Sequence, residues 1–204
     1  MIYLLIDTCT CNLIVSIVKD NVVLSTMIKR NDNNLSTIFT SLVEKILSDN
    51  NLTVDMLDAI LVANGPGSFT GVRIGLTFAK VLAWAKKIRV IPFSSLELMA
   101  SINTNKCNVA ILDARRGYVY AGVYDINLNS LFDDCYISID ELNNKLSDIK
   151  DFQFISCDEF DFPVVKPNYD ILKVVNKHKN DIGINPHTLN PNYLKKTEAE
   201  EKLG

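Results

Sequence analysis

The feature that most constrains this chain is a glycine-rich junction, Gly65-Pro66-Gly67-Ser68-Phe69-Thr70-Gly71, set between a short apolar run and a long helical pattern. Asp58 to Ala63 (DAILVA) is apolar without alternation, as a strand buried on both faces reads. From about Thr70 to Lys87 the apolar residues recur at helical spacing. Strand, tight turn and helix in that order predict an α/β fold. Pro66 sets its own φ and Gly67 is free to take left-handed values, so the turn can launch the helix with Ser68 or Thr70 as its cap.

A glycine-rich turn after a strand invites comparison with the phosphate loops. Neither Gly65 nor Gly67 is followed by Gly-Lys-Ser/Thr at Walker spacing, and the dinucleotide spacing fails because Thr70 stands where its last glycine belongs. A nucleophile elbow around Ser68 fails at Pro66. What remains is a helix start that favours an anion by about 0.3–1 kcal/mol, with Arg73 nearby to add to it. Asp7-Thr8, at the end of the first strand, carries a similar pair of readings. Asp7 holds a metal-bound water in a nucleotide site, or it satisfies the donors of its own turn. The candidate nucleotide or anion contacts are therefore Asp7, Thr8, Gly67, Ser68 and Arg73, weighed against a purely structural turn.

The helix carries a second signal. Gly71, Gly75, Ala79 and Ala83 recur every four residues and form a ridge almost bare of side chain. Another helix could approach such a ridge to about 8 Å between axes. One candidate neighbour is internal, the amphipathic helix predicted from Leu35. There Ile38, Phe39, Leu42, Val43, Ile46 and Leu47 share a face, behind Asn33 and Asn34 as candidate caps. Ile74, Phe78, Leu82 and Trp84 spread apolar surface around the second helix beyond what one internal contact covers, so part of it is expected at an interface.

Around this centre, residues 2–6, 13–18 and 22–28 read as three antiparallel strands, the last two joined by a polar turn at Lys19-Asp20-Asn21. Residues 89–93 read as a further strand, and Ser95 as the start of a helix without a capping box, since Leu98 stands at the partner position. Cys107–Leu112 and Tyr118–Tyr124 flank Asp113-Ala114-Arg115-Arg116-Gly117 and begin a second sheet; the paired arginines read as a solvated turn or an anion grip. Beyond it, Ile139–Leu146 and Ile171–Lys177 are predicted as helices and Phe152–Ser156 as a strand. Thr197 and Glu200 form a capping box for a terminal helix. No internal repeat is visible. The division expected is a first lobe over residues 1–105 and a smaller second lobe over 106–204.

Several classes of function are disfavoured. The 204 residues carry 21 Lys plus Arg against 24 Asp plus Glu, a net charge of −3, which is the opposite of a free-standing nucleic-acid binder. The five cysteines, Cys9, Cys11, Cys107, Cys135 and Cys157, contain no C-x-x-C pair, so neither a disulfide framework nor a zinc knuckle is expected and a reduced cytosol is the predicted setting. The only histidines, His178 and His187, cannot form a His-x-x-x-His metal pair, and no Ser-His-Asp or Cys-His set stands out. No basic leader or membrane-length apolar run is present.

The stretch Leu57–Ala100, LDAILVANGPGSFTGVRIGLTFAKVLAWAKKIRVIPFSSLELMA, closely resembles the hallmark region of the TsaB (YeaZ) family. IDTCTCNLIVSIV, ILDARRGYVYAGVYD and NPNYLKK extend the resemblance. It implies an actin-like ATPase (ASKHA, ribonuclease H-like) fold of two lobes with mixed sheets flanked by helices, the second lobe reduced. It further implies a non-catalytic, cytoplasmic scaffold, with no metal and no cofactor of its own, that supports the catalytic subunit TsaD. With TsaE, the two install threonylcarbamoyl on the adenosine next to the anticodon of ANN-decoding tRNAs. On this reading tRNA is met only within the complex, ATP or ADP with Mg sits at most at the partner interface, and homodimers use the same helices as TsaD. The interface would then comprise Leu35, Ile38, Phe39, Leu42, Gly71, Ile74, Gly75, Phe78, Ala79 and Leu82. The alternatives are an independent actin-like ATPase or sugar-kinase-like enzyme using Asp7 and, further off, a metallopeptidase.

Overall fold

The computed structural model describes residues 1–30, 35–102 and 104–195, arranged as two mixed sheets with flanking helices. The first sheet begins as a meander of β1 (Ile2–Asp7), β2 (Asn12–Lys19) and β3 (Val22–Arg30). Asp20 and Asn21, with φ of 49° and 63°, make the two-residue turn whose twist suits a hairpin. Two strands then add parallel to β1, namely β4 (Ala59–Ala63) and β5 (Arg89–Phe93), giving the order β3-β2-β1-β4-β5. All of β4 is buried, in keeping with its unbroken apolar run. Helices α1 (Leu35–Asp49), α2 (Phe69–Lys86) and the short α3 (Ser95–Ala100) complete this lobe.

The second sheet is built from β6 (Cys107–Asp113), β7 (Tyr118–Tyr124), β8 (Ser130–Ser138) and β9 (Phe152–Ile155), in the order β8-β7-β6-β9. Its β6–β7 and β7–β8 pairs are antiparallel and its β6–β9 pair parallel, so it repeats the first sheet with one strand fewer. Helix α4 (Ile139–Leu146) follows β8 as α1 follows β3. This duplication is invisible in the sequence because topology depends on which positions are buried, and many apolar residues satisfy that equally.

Several expectations need correction. Strand β8 is not anticipated, because Asp133 and Asp134 interrupt its apolar pattern. Helix α3 is capped by Ser94, whose Oγ accepts from Leu96 N at 3.1 Å, one residue before the expected start. That frame places Glu97 at the capping-box position, but its carboxylate instead meets His178. The last strand of the first sheet ends at Phe93 and the first strand of the second begins at Cys107, yet the chain later returns to the first lobe. Helix α5 (Ile171–His178) buries Ile171, Val174 and Val175 in the first lobe's core, and Asn192 N donates to Asn64 O at 2.7 Å. Asn33, Asn34, Thr197 and Glu200, the remaining cap candidates, lie outside the described residues.

The lobes share an apolar junction, with α3 packed on β6 and β7 and Ala110, Leu112, Tyr124 and Ile155 joined to the first core, and they are also linked by polar and covalent contacts. Ser94 donates to Asp134 of β8, whose other oxygen accepts from Tyr124 at 2.7 Å. Across the cleft, Asn12 Nδ2 donates to Tyr169 OH at 2.9 Å, and Cys11 is bonded to Cys157 in a disulfide. The disulfide overturns the expectation drawn from the spread of cysteines. The two lie 146 residues apart, and only the docking of the lobes brings them together. No helix among the described residues is long and apolar enough to cross a membrane.

Candidate functional site

The glycine-rich turn is shaped by what lies beneath it. Ser68 caps α2 by accepting from Gly71 N at 3.2 Å, while its own N–H donates to Cys9 O at 2.7 Å. A Cβ on Gly67, whose φ is +151°, would stand 2.1 Å from Cys9 O. On Gly71 it would stand 2.0 Å from Thr8 O, and on Gly75 2.4 Å from Thr8 Oγ1. Thr8 Oγ1 also donates to Gly71 O at 2.7 Å. The small ridge therefore exists so that α2 can lie against the end of β1. Gly71, Gly75, Ala79 and Ala83 are buried within the chain, which corrects the assignment of Gly71, Gly75 and Ala79 to a partner interface.

Asp7 sits under this junction, fully buried among apolar strands. Its Oδ1 accepts from Cys9 N at 2.7 Å, and its Oδ2 has no hydrogen-bond partner among the described residues. Burial pushes its carboxyl up to about 7, against the opposing pull of hydrogen bonds from Cys9. The same burial, reinforced by Asp7, raises the Cys9 thiol well above its ordinary value. Arg73 is elsewhere. Its guanidinium lies 3.7 Å over the Phe69 ring and its Nε donates to Tyr193 OH at 3.0 Å, with Phe69 and Tyr193 themselves stacked at 5.6 Å.

The five candidate anion contacts thus divide. Thr8 and Asp7 are under the helix, Gly67 and Ser68 lie against Cys9, and Arg73 joins an exposed aromatic stack. Gly67 and Ser68 do border an interlobe cleft of about 300 Å³, with Cys11, Tyr120, Asp113 and Asp158. Among the described residues its charged lining is two carboxylates with no basic side chain, a poor match for phosphate. Arg115 and Arg116 stay exposed at the β6–β7 turn.

A different face is open. Helices α1 and α2 border an apolar groove of about 650 Å³, lined chiefly by Phe39, Phe69, Ile74, Phe78, Val81 and Leu82. Phe39 and Phe78 meet edge to face at 5.0 Å and form its floor. Ile74, Phe78 and Leu82 are half-buried, and Ile38 is half-buried on α1. Leu35, Phe39 and Leu42, by contrast, are core residues, because the apolar face of α1 turns toward its own sheet. Phe69 and Val81, 56% and 60% exposed, are the contributors the sequence reading missed. Val81 was accessible to it, since Ile74, Phe78 and Val81 follow helical spacing.

The strand order of the first sheet and its shortened repetition define the class: a two-lobed actin-like, ribonuclease H-like fold. YeaZ from Pseudomonas aeruginosa shares it, with a TM-score of 0.79 over 95% of this chain and 99% of that one, at 20% identity. A family profile described as "TsaD: tRNA N6-adenosine threonylcarbamoyltransferase" matches residues 24–201. The chain belongs to that family. The tRNA threonylcarbamoyladenosine biosynthesis protein TsaB of Bacillus subtilis is 39% identical over 126 residues, 61% of this chain and 55% of that protein. Its Escherichia coli namesake is 35% identical over 95 residues, 45% of this chain and 41% of that protein. The match thus spans about half the length of these curated relatives.

Proposed function

We propose that the chain is a non-catalytic scaffold subunit in threonylcarbamoyladenosine synthesis on tRNA. It presents the α1–α2 groove to a catalytic TsaD homologue and works with a TsaE homologue in the cytoplasm. The observation that carries this reading is the apolar groove itself, with Phe69, Val81 and Trp84 left more than half exposed along α2. Apolar surface concentrated on one helix pair is what a partner's helices would bury. A homodimer through the same face is the alternative occupant when TsaD is absent. ATP or ADP with Mg and tRNA would then be met only in the assembled complex.

Co-expression with the cognate TsaD homologue tests the proposal. The wild-type chain should co-elute with it, and Phe78→Glu or Val81→Glu should abolish co-elution while the isolated variants keep their circular dichroism. Full complex formation by both variants would exclude this face. Calorimetry with ATP and Mg²⁺ on the isolated chain tests the ATPase reading; turnover there would replace the scaffold assignment.

A further inference from the structure

We propose that Cys11 and Cys157 are a reversible thiol-modification site, oxidised by low-molecular-weight disulfides into a latch that ties the two lobes together across their cleft. Cys11 lies in the β1–β2 turn of the first lobe and Cys157 just beyond β9 of the second. Their Cα atoms are 6.1 Å apart, inside the span a disulfide bridges without moving the backbone. Both are partly accessible to solvent, whereas Cys9, two residues from Cys11, is buried. An exchange reagent therefore reaches this pair and not Cys9.

The approach of the two sulfurs does not depend on the bond alone. Asn12, the neighbour of Cys11, donates to Tyr169 OH, and that hydroxyl lies 3.9 Å from Cys157 Sγ. Lys166 Nζ donates to the carbonyls of Cys157 and Asp158 at 2.8 and 3.2 Å, holding the second lobe's segment in place. The reduced thiols are thus kept in register for closure. Cys11 also lines the interlobe cleft beside Gly67 and Ser68, so the bond restrains the opening of that cleft and the turn that launches α2.

The chemistry is thiol–disulfide exchange. One thiolate of the pair attacks a sulfur of the small disulfide, forming a mixed disulfide and expelling one small thiolate. The second protein thiolate then attacks the protein sulfur of that mixed disulfide, forming the Cys11–Cys157 bond and expelling the other. Two electrons pass to the small disulfide and the two protein thiols give up two protons. Excess small thiol reverses both steps. Bonds of this kind in reducing compartments are characteristically transient and redox-sensing.

The test uses the purified chain incubated with oxidised glutathione or with dithiothreitol, then alkylated, digested and analysed by mass spectrometry. Oxidised protein should yield one peptide pair joined through Cys11 and Cys157, with Cys9, Cys107 and Cys135 not cross-linked, and dithiothreitol should remove it. Because the bond closes a loop of 146 residues, the oxidised form should melt higher by on the order of 10 °C. Hydrogen exchange should slow around residues 8–12 and 157–169. Cys11→Ser and Cys157→Ser should each lose the melting shift while matching the reduced wild type, a comparison that separates loss of the latch from misfolding. Absence of the joined peptide, its formation through another cysteine, or a bond that leaves melting and exchange unchanged would each overturn the proposal.

Discussion

Replacing Asp7 by Asn should make the chain more stable, and increasingly so as pH rises. The carboxyl ionises with an ordinary value of 3.8 in the unfolded chain and about 7 in the folded one, because burial disfavours the charge. The folded state therefore holds a proton that the unfolded state releases, and stability must fall as pH rises between those values. Below 3.8 both states are protonated and no penalty exists. At about 1.36 kcal/mol per unit, the penalty reaches roughly 2 kcal/mol at pH 5 and levels off near 4 kcal/mol above pH 7. Asn preserves the oxygen that accepts from Cys9 N at 2.7 Å and carries no charge to desolvate. Urea unfolding of wild type and Asp7→Asn at pH 5 and pH 8 measures the effect, and taking the difference between the proteins cancels other titrating groups. The variant's advantage should grow by about 2–3 kcal/mol between the two pH values. An advantage independent of pH, or a loss of stability at both, would refute the account of a buried carboxyl held neutral.

Three further outcomes are expected. Gly71→Ala should cost roughly 1–3 kcal/mol in urea unfolding, because the added methyl would meet the backbone carbonyl of Thr8 at 2.0 Å and neither element can give way freely. Phe39→Ala should cost about 3–5 kcal/mol by removing a side chain from the first core, whereas Phe78→Glu, on the open side of the same aromatic pair, should change stability far less and act on partner binding. His178 is a pH-linked anchor for α5. Burial opposes its charge, but hydrogen bonds to Glu97 at 2.9 Å and Asp181 at 2.8 Å outweigh it and raise its value above 6.5. Lys177 also faces Glu97, at 3.3 Å. The stabilisation by His178 should be complete below pH 6.5 and be lost as pH rises through the raised value, so His178→Gln should destabilise the chain by about 1–3 kcal/mol at pH 6 and less at pH 9 in thermal melts.

The local elements were legible wherever short-range physics decides them. The β2–β3 hairpin follows from Asp20-Asn21, the buried β4 from its unbroken apolar run, and the launch of α2 from Pro66, Gly67 and Ser68. The family was legible for the same reason, since its motifs are contiguous stretches. The orientation of a helix face was not. Gly71, Gly75 and Ala79 have the same spacing whether a partner or the chain's own β1 lies against them, and only the position of Thr8 distinguishes the two. Leu35 and Leu42 likewise follow one amphipathic pattern that reads the same for core and interface. Glu97 occupies a capping-box position by sequence, but His178, brought back by the returning C-terminal segment, offers it a charged partner. Cys11 and Cys157 carry no spacing signal, because a bond across 146 residues depends on how two lobes dock. The sequence by itself determined the strands other than β8, the turns, the bare ridge on α2 and the family. The tertiary structure alone decided which way that ridge faces, which of its neighbours stay exposed, and which distant side chains meet, because those depend on contacts between residues far apart in the chain.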